Sequence, residues 1–269
     1  MAQRLVKGGD LYTTLGAVVN EADYLEYDPI NAARGISPRC EPFGAFGERT
    51  TSGAETNYQV WPNGLLELLP DAGAQLSFVS TSAEDSPTGN GVQSIHMHYL
   101  DGSLNDQDEI VILNGLTPVL TTATDIRFVQ CLHIDESVST SVAGTITASY
   151  SGVIYSEILA GQTRCSSSFR RVPRNKRLMI YGAIGSSISG TAAARTQLRI
   201  VANSIATHQY TNPLIFVPHG SVGVQDGNAA LEFKPPLAFY EGDIVGITHT
   251  SDKGCTISAS WFGTLEDIV

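Results

Sequence analysis

The amino-acid sequence predicts an all-β protein, an antiparallel β-sandwich of jelly-roll type with an extended, largely irregular N-terminal arm. Short runs of alternating apolar and polar residues recur from residue 71 onwards, separated by turn signals about every 8–12 residues. The 269 residues include 26 glycines and 12 prolines, which suit a chain with many turns. The pair Asn114-Gly115 lies between two β-branched runs and tolerates the positive φ angles of a tight turn.

Residues 1–70 are predicted to form the arm, an attachment segment that lies on the body of the protein or on a neighbouring subunit. Prolines and glycines interrupt regular structure from Pro29 to Gly64. Upstream of them, only residues 10–20 have a pattern compatible with a short helix. Disordered linkers are poor in aromatic residues, whereas this segment is rich in them. The candidate arm anchors are Tyr24, Tyr27, Phe43, Phe46, Tyr58 and Trp61.

Residues 71–269 are predicted to form the sandwich body, as one unit or as two. The predicted strands lie near residues 75–80, 93–100, 109–113, 126–134, 144–148, 152–158, 166–172, 178–182, 197–202, 214–217, 229–234, 243–250 and 256–262. Proline cannot donate a hydrogen bond to a central ladder, so strand ends and sheet edges are its natural positions. We therefore expect strands to end at Pro173, at Pro218 and at the pair Pro235-Pro236.

The composition argues against nucleic-acid and membrane partners. The net charge of −11 disfavours strong binding to nucleic acids and to anionic lipid surfaces. No apolar run is long enough to span a bilayer, and the N-terminus lacks the apolar core of a signal peptide. Only 16% of the residues are charged, which suits a protein that buries much of its surface in an assembly. We expect protein partners and synthesis in a reducing cytoplasm.

Basic residues are concentrated in one part of the chain, because half of the 16 lysines and arginines lie between Arg164 and Arg199. They are either solvated edges and turns of strands or a docking patch for the acidic surface of a partner subunit. No aromatic residues are interleaved with them, which argues against nucleic-acid binding. The candidate docking patch consists of Arg170, Arg171, Arg174, Lys176 and Arg177.

Two pairs of possible metal ligands have the spacing that puts both side chains on one face of a strand. They are His96 with His98 and Cys131 with His133. A metal site needs a third ligand, which the sequence does not place beside either pair. The alternative, partly buried polar positions on a sheet, requires no further residue. We therefore predict no metal site and no cofactor.

No enzyme motif is recognisable in the sequence. The acidic segment 101–109 does not fit the ligand spacing of an EF-hand loop, and residues 185–190 lack the spacing of a nucleophile elbow. Phosphate-binding and dinucleotide-binding glycine motifs are also missing. We predict no catalytic residues and no enzyme activity. A carbohydrate-binding β-sandwich stays open as an alternative, with Trp61 and Trp261 as candidate sugar platforms.

Five segments resemble a family of β-sandwich structural proteins from the virions of tailed bacteriophages. In the order of that family, they are residues 76–85, 92–119, 172–176, 236–244 and 257–263. The most recognisable of them contains Leu-Asn-Gly-Leu-Thr-Pro-Val around Asn114-Gly115. In the third segment, Arg174 and Asn175 replace the small residues of the family's turn.

This resemblance covers about residues 75–263 and implies a non-enzymatic structural protein of a virion that is assembled in the host cytoplasm. The specific role that we expect is a capsid decoration or cement protein, which binds the major capsid protein and stabilises the shell as a homotrimer. Two alternatives stay open. The first is a tail-associated adaptor, fibre or receptor-binding protein, and the second is the carbohydrate-binding protein described above.

Overall fold

The computed structural model describes residues 40–64, 66–189, 194–203 and 217–268, and the backbone of three short strands before residue 21. All strand pairings in these residues are antiparallel, which confirms the predicted all-β class. No helix that could cross a membrane is found in this part of the chain.

The nineteen strands are numbered in chain order. They are β1 (Arg4–Val6), β2 (Asp10–Tyr12), β3 (Val18–Asn20), β4 (Cys40–Thr51), β5 (Glu55–Gln59), β6 (Ser77–Ser80), β7 (Val92–Leu100), β8 (Asp106–Ile112), β9 (Val119–Leu120), β10 (Phe128–Ser137), β11 (Ile146–Tyr150), β12 (Val153–Ile158), β13 (Arg170–Arg171), β14 (Lys176–Ile188), β15 (Arg195–Asn203), β16 (Val217–Gln225), β17 (Gly227–Tyr240), β18 (Ile244–Ser251) and β19 (Cys255–Asp267).

Residues 66–165, here called the first unit, form a sandwich of two sheets. One sheet has the strand order β10-β7-β8, and the other has the order β12-β11-β6-β9. Apolar side chains alternate with polar ones along these strands, so each sheet presents an apolar face to the other. Phe78 and Ile146 from one sheet meet Ile95, Met97 and Leu132 from the other in a fully buried core.

The second unit consists of residues 40–64 and 166–268 and is a separate sandwich with its own core. One sheet has the order β13-β18-β15-β16, with β5 also paired to β18, and the other has the order β17-β14-β19-β4. Leu178 and Ile257 from the second sheet pack with Ile200 from the first. Trp261 is buried among them, and its Nε1 donates a hydrogen bond to the carbonyl oxygen of Ser168 at 2.7 Å. Each of the two units therefore has an apolar core of its own.

A third apolar cluster joins the two units. Leu100 and Phe128 of the first unit lie in it together with Phe169 and Ile244 of the second. Beside the cluster, the amide side chain of Gln130 donates to the carbonyl oxygen of residue 171 at 2.6 Å and accepts its N–H at 3.1 Å. The junction therefore combines apolar burial with a two-point hydrogen bond to backbone.

The chain enters the paired sheets well before the predicted arm boundary at residue 70, because β4 pairs with β19 along its whole length. Pro42 is accommodated because β4 is the outer strand of its sheet, where a missing N–H costs no ladder bond. Gly47 reflects a close approach, since a Cβ there would lie 2.1 Å from the carbonyl oxygen of Val60. The proline and glycines of β4 therefore made an edge strand look irregular in the sequence. For residues 21–39, which lie outside the described part, an arm stays a prediction.

Three other local predictions are wrong. Residues 10–20 contain β2 and β3 instead of a helix, because a short apolar run has no clear period of its own. Pro218 does not end a strand, because it is the second residue of β16. The pair Pro235-Pro236 does not end one either, because it lies inside β17. β17 is an outer strand, and its pairing with β14 is irregular between Ile180 and Gly182, so the prolines leave no central ladder bond unmade.

The turn at Asn114-Gly115 forms as predicted, with φ of +59° at Gly115 and a hydrogen bond from Thr117 N to Asn114 O at 3.0 Å. It does not close a hairpin, because β8 and β9 belong to different sheets. The turn therefore connects the two sheets of the first sandwich.

Candidate metal centre

Three histidines share the outer face of the sheet β10-β7-β8. Ile95 and Met97 point into the core, so alternation along β7 turns His96 and His98 away from it. On β10, the buried Leu132 leaves His133 on the same outer face. All three imidazoles are partly exposed.

Strand register brings the third histidine to the first two. His133 is the cross-strand partner of His96 in the β7–β10 pairing. The ring centroids are 4.5 Å apart for His96 and His98, 4.8 Å for His96 and His133, and 5.1 Å for His98 and His133. One ring nitrogen from each residue lies within 4.8 Å of the other two. The sequence did not reveal this neighbour, although the i, i+2 spacing in both strands was its signal.

A carboxylate completes the group from the third strand. Asp108 is the partner of His98 in the β7–β8 pairing, and its Oδ2 lies 3.3 Å from Nε2 of His96. The direction of this contact is not that of a hydrogen bond. Nε2 of His96 is therefore a buried nitrogen without a hydrogen-bond partner among the described residues.

Burial, reinforced by neighbouring histidines, lowers the pKa of two of these imidazoles, His98 and His133. Burial lowers the pKa of His98, and the nearby His96 and Arg170 lower it further against the opposing effect of Asp108. The pKa of His133 is lowered by burial and by His96 and His98, against the opposing effect of Asp135. A neutral imidazole has a lone pair on one ring nitrogen, which is the form that binds metals. The group is thus either a stack of imidazole rings or a ligand set.

A pair of thiols lies near the histidines. One of them belongs to Cys131, which is two residues before His133 on β10. Sγ of Cys131 is 3.3 Å from Sγ of Cys165, although 34 positions separate the two residues in the sequence. Their hydrogen bond raises the pKa of Cys131, and together with Arg170 it lowers the pKa of Cys165. A cavity of about 190 Å³ adjoins both sulfurs and is bordered by Phe46 and Arg164. The spacing of these two cysteines along the chain did not predict their contact.

The predicted docking patch is divided between the interior and the surface. Arg170 and Arg171 are only 8% and 2% exposed. The first donates to the carbonyl oxygens of residues 167 and 169, and the second to that of Gly242. Lys176 lies 2.7 Å from Asp267, and Arg177 lies 2.5 Å from Glu266. Arg174 is the exposed member of the set. Docking through this patch stays a prediction, and buried guanidiniums do not contribute to it.

The predicted arm anchors are placed in the second unit where the structure describes them. The ring of Phe43 is 6.0 Å from that of Trp261, and Trp61 is 2% exposed. Phe46 and Tyr58 lie under the guanidiniums of Arg164 and Arg49, at 5.7 Å and 5.1 Å. Tyr24 and Tyr27 lie outside the described residues.

Sequence reasoning missed a buried charged network in the second unit. Nε of Arg49 donates to Oε2 of Glu55 at 2.7 Å, and Nε2 of His249 lies 2.9 Å from the same oxygen. The three residues come from β4, β18 and β5, so the network ties three strands together. Burial lowers the pKa of His249, with Glu55 opposing and Arg49 reinforcing the effect. Only the fold brings these separated positions together.

No protein-family model matches the chain, and no curated protein matches it. Among solved structures, the chain is similar to one of infectious bursal disease virus, Gx strain, with 10% identity and a TM-score of 0.19 over 86% of this chain and 77% of that one. For the Gt strain, the identity is 8% and the TM-score 0.13 over 86% and 78%. Similarities this low assign no function. They also give no specific support to a tailed-bacteriophage family, which stays an interpretation of the sequence.

Proposed function

We propose that the protein is a non-enzymatic structural component of a tailed-bacteriophage virion, and that it decorates and stabilises the capsid shell. One observation carries the proposal beyond the sequence resemblance. Four large apolar side chains lie exposed within eleven positions of the first unit. They are Ile110 (54% exposed), Ile112 (64%), Leu116 (61%) and Leu120 (64%), and we call them the apolar edge.

The apolar edge lies along the outermost strands of the two sheets of the first sandwich. β8 and β9 are the outermost strands of their respective sheets, and only residues 113–118 connect them. The carboxylate of Glu109 on β8 accepts the N–H of Ala123, just after β9, at 3.0 Å. Val111 and Val119 pack into the core. Alternation therefore exposes Ile110 and Ile112 on the outer face of one sheet and Leu120 on the outer face of the other, along neighbouring sheet edges.

Contact with another protein is the use that fits this surface. Single exposed apolar residues are ordinary, whereas a contiguous group marks an interaction site. Burial of apolar surface contributes about 25 cal/mol per Å², from which the cost of association is subtracted. The outer backbone of an edge strand also offers unpaired N–H and C=O groups to a partner. The net charge of −11 favours a protein partner over nucleic acid or an anionic membrane.

Binding to particles assembled without the protein tests the proposal. A variant with Ile110→Thr, Ile112→Thr, Leu116→Ser and Leu120→Ser should lose occupancy in co-sedimentation. The matched control is Ile184→Thr with Ile188→Thr, which alters two exposed isoleucines of the second unit and should bind normally. Equal occupancy of the apolar-edge variant and the wild type would contradict the role of this surface.

The predicted arm and trimer are tested separately. A deletion of residues 1–39 removes the arm without cutting into β4, whereas a longer deletion would take away a strand of the second unit. We expect the deletion to weaken attachment to the shell. Light scattering of the purified protein should give the mass of three chains. Antibody labelling confined to tails would instead favour the tail-associated alternative.

A further inference from the structure

We propose that His96, His98 and His133 bind one divalent transition-metal ion, with zinc as the best match, on the outer face of the sheet β10-β7-β8. Three imidazoles converge there from two hydrogen-bonded strands. The site is independent of the proposed role in a virion, because it rests on side-chain geometry alone.

The backbone holds the ligands close to one another before any ion arrives. His96 and His98 are two positions apart on one strand, and His133 is directly opposite the first of them. Antiparallel pairing fixes these Cα positions, so binding requires only side-chain rotation. Sites carried by strands keep their ligands in place better than sites carried by loops.

The required movement is small. Zinc–nitrogen bonds of about 2.0–2.1 Å in a tetrahedral site place the ligand nitrogens roughly 3.3–3.4 Å apart. The nitrogens are now within 4.8 Å of one another. Each pair therefore has to close by at most about 1.5 Å, which rotation about χ1 and χ2 of partly exposed rings can supply. The side chain of His96 is 25% exposed and has room for this rotation.

The fourth position has two candidates. Asp108 projects from β8 beside the histidines, and its side chain is 65% exposed and can rotate. A carboxylate ligand would complete three nitrogens and one oxygen, whereas a water molecule would leave an open position. Cys131 is less suitable, because its thiol is already hydrogen-bonded to that of Cys165. Imidazole donors select zinc, copper or nickel over magnesium and calcium, which prefer oxygen.

The orphaned nitrogen of His96 points to a ligand. Its Nε2 lies 3.3 Å from Oδ2 of Asp108 without forming a hydrogen bond, so a cation bound there would contact both atoms. Arg170 is the nearby positive charge that opposes a cation, but its guanidinium is bonded to two backbone carbonyl oxygens. Asp108 and Asp135 supply negative charge on the same sheet.

Titration of the untagged full-length protein with Zn²⁺ against a chromophoric chelator tests the site. We expect one ion per chain in the wild type. His96→Ala and His133→Ala should each weaken binding at least tenfold, because each removes a ligand. Asp108→Asn should weaken it less if water can replace the carboxylate. His219→Ala removes a histidine far along the chain and should bind as the wild type does, and so should Cys131→Ser.

X-ray absorption of the zinc-loaded wild type provides a readout that does not depend on variants folding. It should show three imidazole nitrogens and no sulfur in the first coordination shell. A thiolate ligand, the absence of Zn²⁺ binding, or equal losses in His219→Ala and His133→Ala would each overturn the proposal.

Discussion

Asp85 in the first unit and Glu55 in the second are two carboxylates that are held in different ways. In the first unit, Asp85 is fully buried and accepts four hydrogen bonds, from Ser80 Oγ at 2.6 Å and from the N–H groups of Val92, Ala143 and Gly144 at 2.8–3.0 Å. No cation takes part in these four bonds. In the second unit, the carboxylate of Glu55 is bound by side-chain groups of Arg49 and His249.

This difference shows what each unit depends on. The first unit uses backbone N–H groups that exist whatever the side chains are, and one carboxylate gathers the ends of several elements. The second unit depends on two further side chains, which substitution can remove one at a time. Burial alone would raise the pKa of each carboxyl group, and hydrogen bonds, together with Arg49 in the second case, lower both instead. Both are therefore charged in the folded protein at neutral pH.

The largest effect is expected from Asp85→Ala. The change leaves a hydroxyl and three backbone N–H groups buried without their acceptor, and it should lower the free energy of unfolding by about 4 kcal/mol. Denaturant unfolding measures this loss. Asp101→Ala is the matched control, because that carboxylate also caps a turn but is partly exposed, and it should cost about 1 kcal/mol. Equal losses would remove the distinction between a buried and a solvated carboxylate.

Arg49→Ala should destabilise the second unit by about 3 kcal/mol, because it leaves the largely buried Glu55 without its guanidinium. If the network is mainly an ion pair, Arg49→Met combined with Glu55→Leu should cost less than the single change. A double-mutant cycle by denaturant unfolding gives the coupling energy. A double variant that is less stable than both single variants would show that the network contributes chiefly through its packing.

Zinc should stabilise the first unit and leave the second unchanged. At a free ion concentration 100 times the Kd, binding stabilises the folded state by about 2.7 kcal/mol. Thermal melts followed by hydrogen exchange should locate the added protection in β7 and β10. The double variant His96→Ala, His133→Ala should show no such shift, and protection spread evenly over both units would contradict a local site.

Acid should lower the free energy of unfolding of both units, and the loss should be smallest near neutral pH. Because the folded-state pKa values of Asp85 and Glu55 are lowered, their contributions are present above the ordinary carboxyl range of about pH 4. They are lost as the pH falls through the folded-state values. Wild type and Asp85→Asn should therefore differ in unfolding free energy at pH 6 and converge towards pH 3. A difference in unfolding free energy that stays constant with pH would mean that protonation of Asp85 is not coupled to unfolding.

Much of the fold could be predicted from patterns of near neighbours. Alternation located strands such as β7 and β18, and the Asn114-Gly115 signal located a turn with the expected positive φ. The wrong predictions of strand ends arose where the same residue type fits two different structures. Proline and glycine in β4 and β17 suggested breaks, whereas outer strands tolerate proline and close backbone contacts require glycine.

The all-β class, the low charge and the placement of His96 and His98 on one face follow from the amino-acid sequence alone. These properties depend on composition and on a period of two residues, both of which are local. Three other features depend on the folded chain: His133 lies opposite His96, Cys165 contacts Cys131, and Arg49 and His249 both contact Glu55. Strand register and sheet order set these contacts, and they depend on how distant segments bury their apolar faces together.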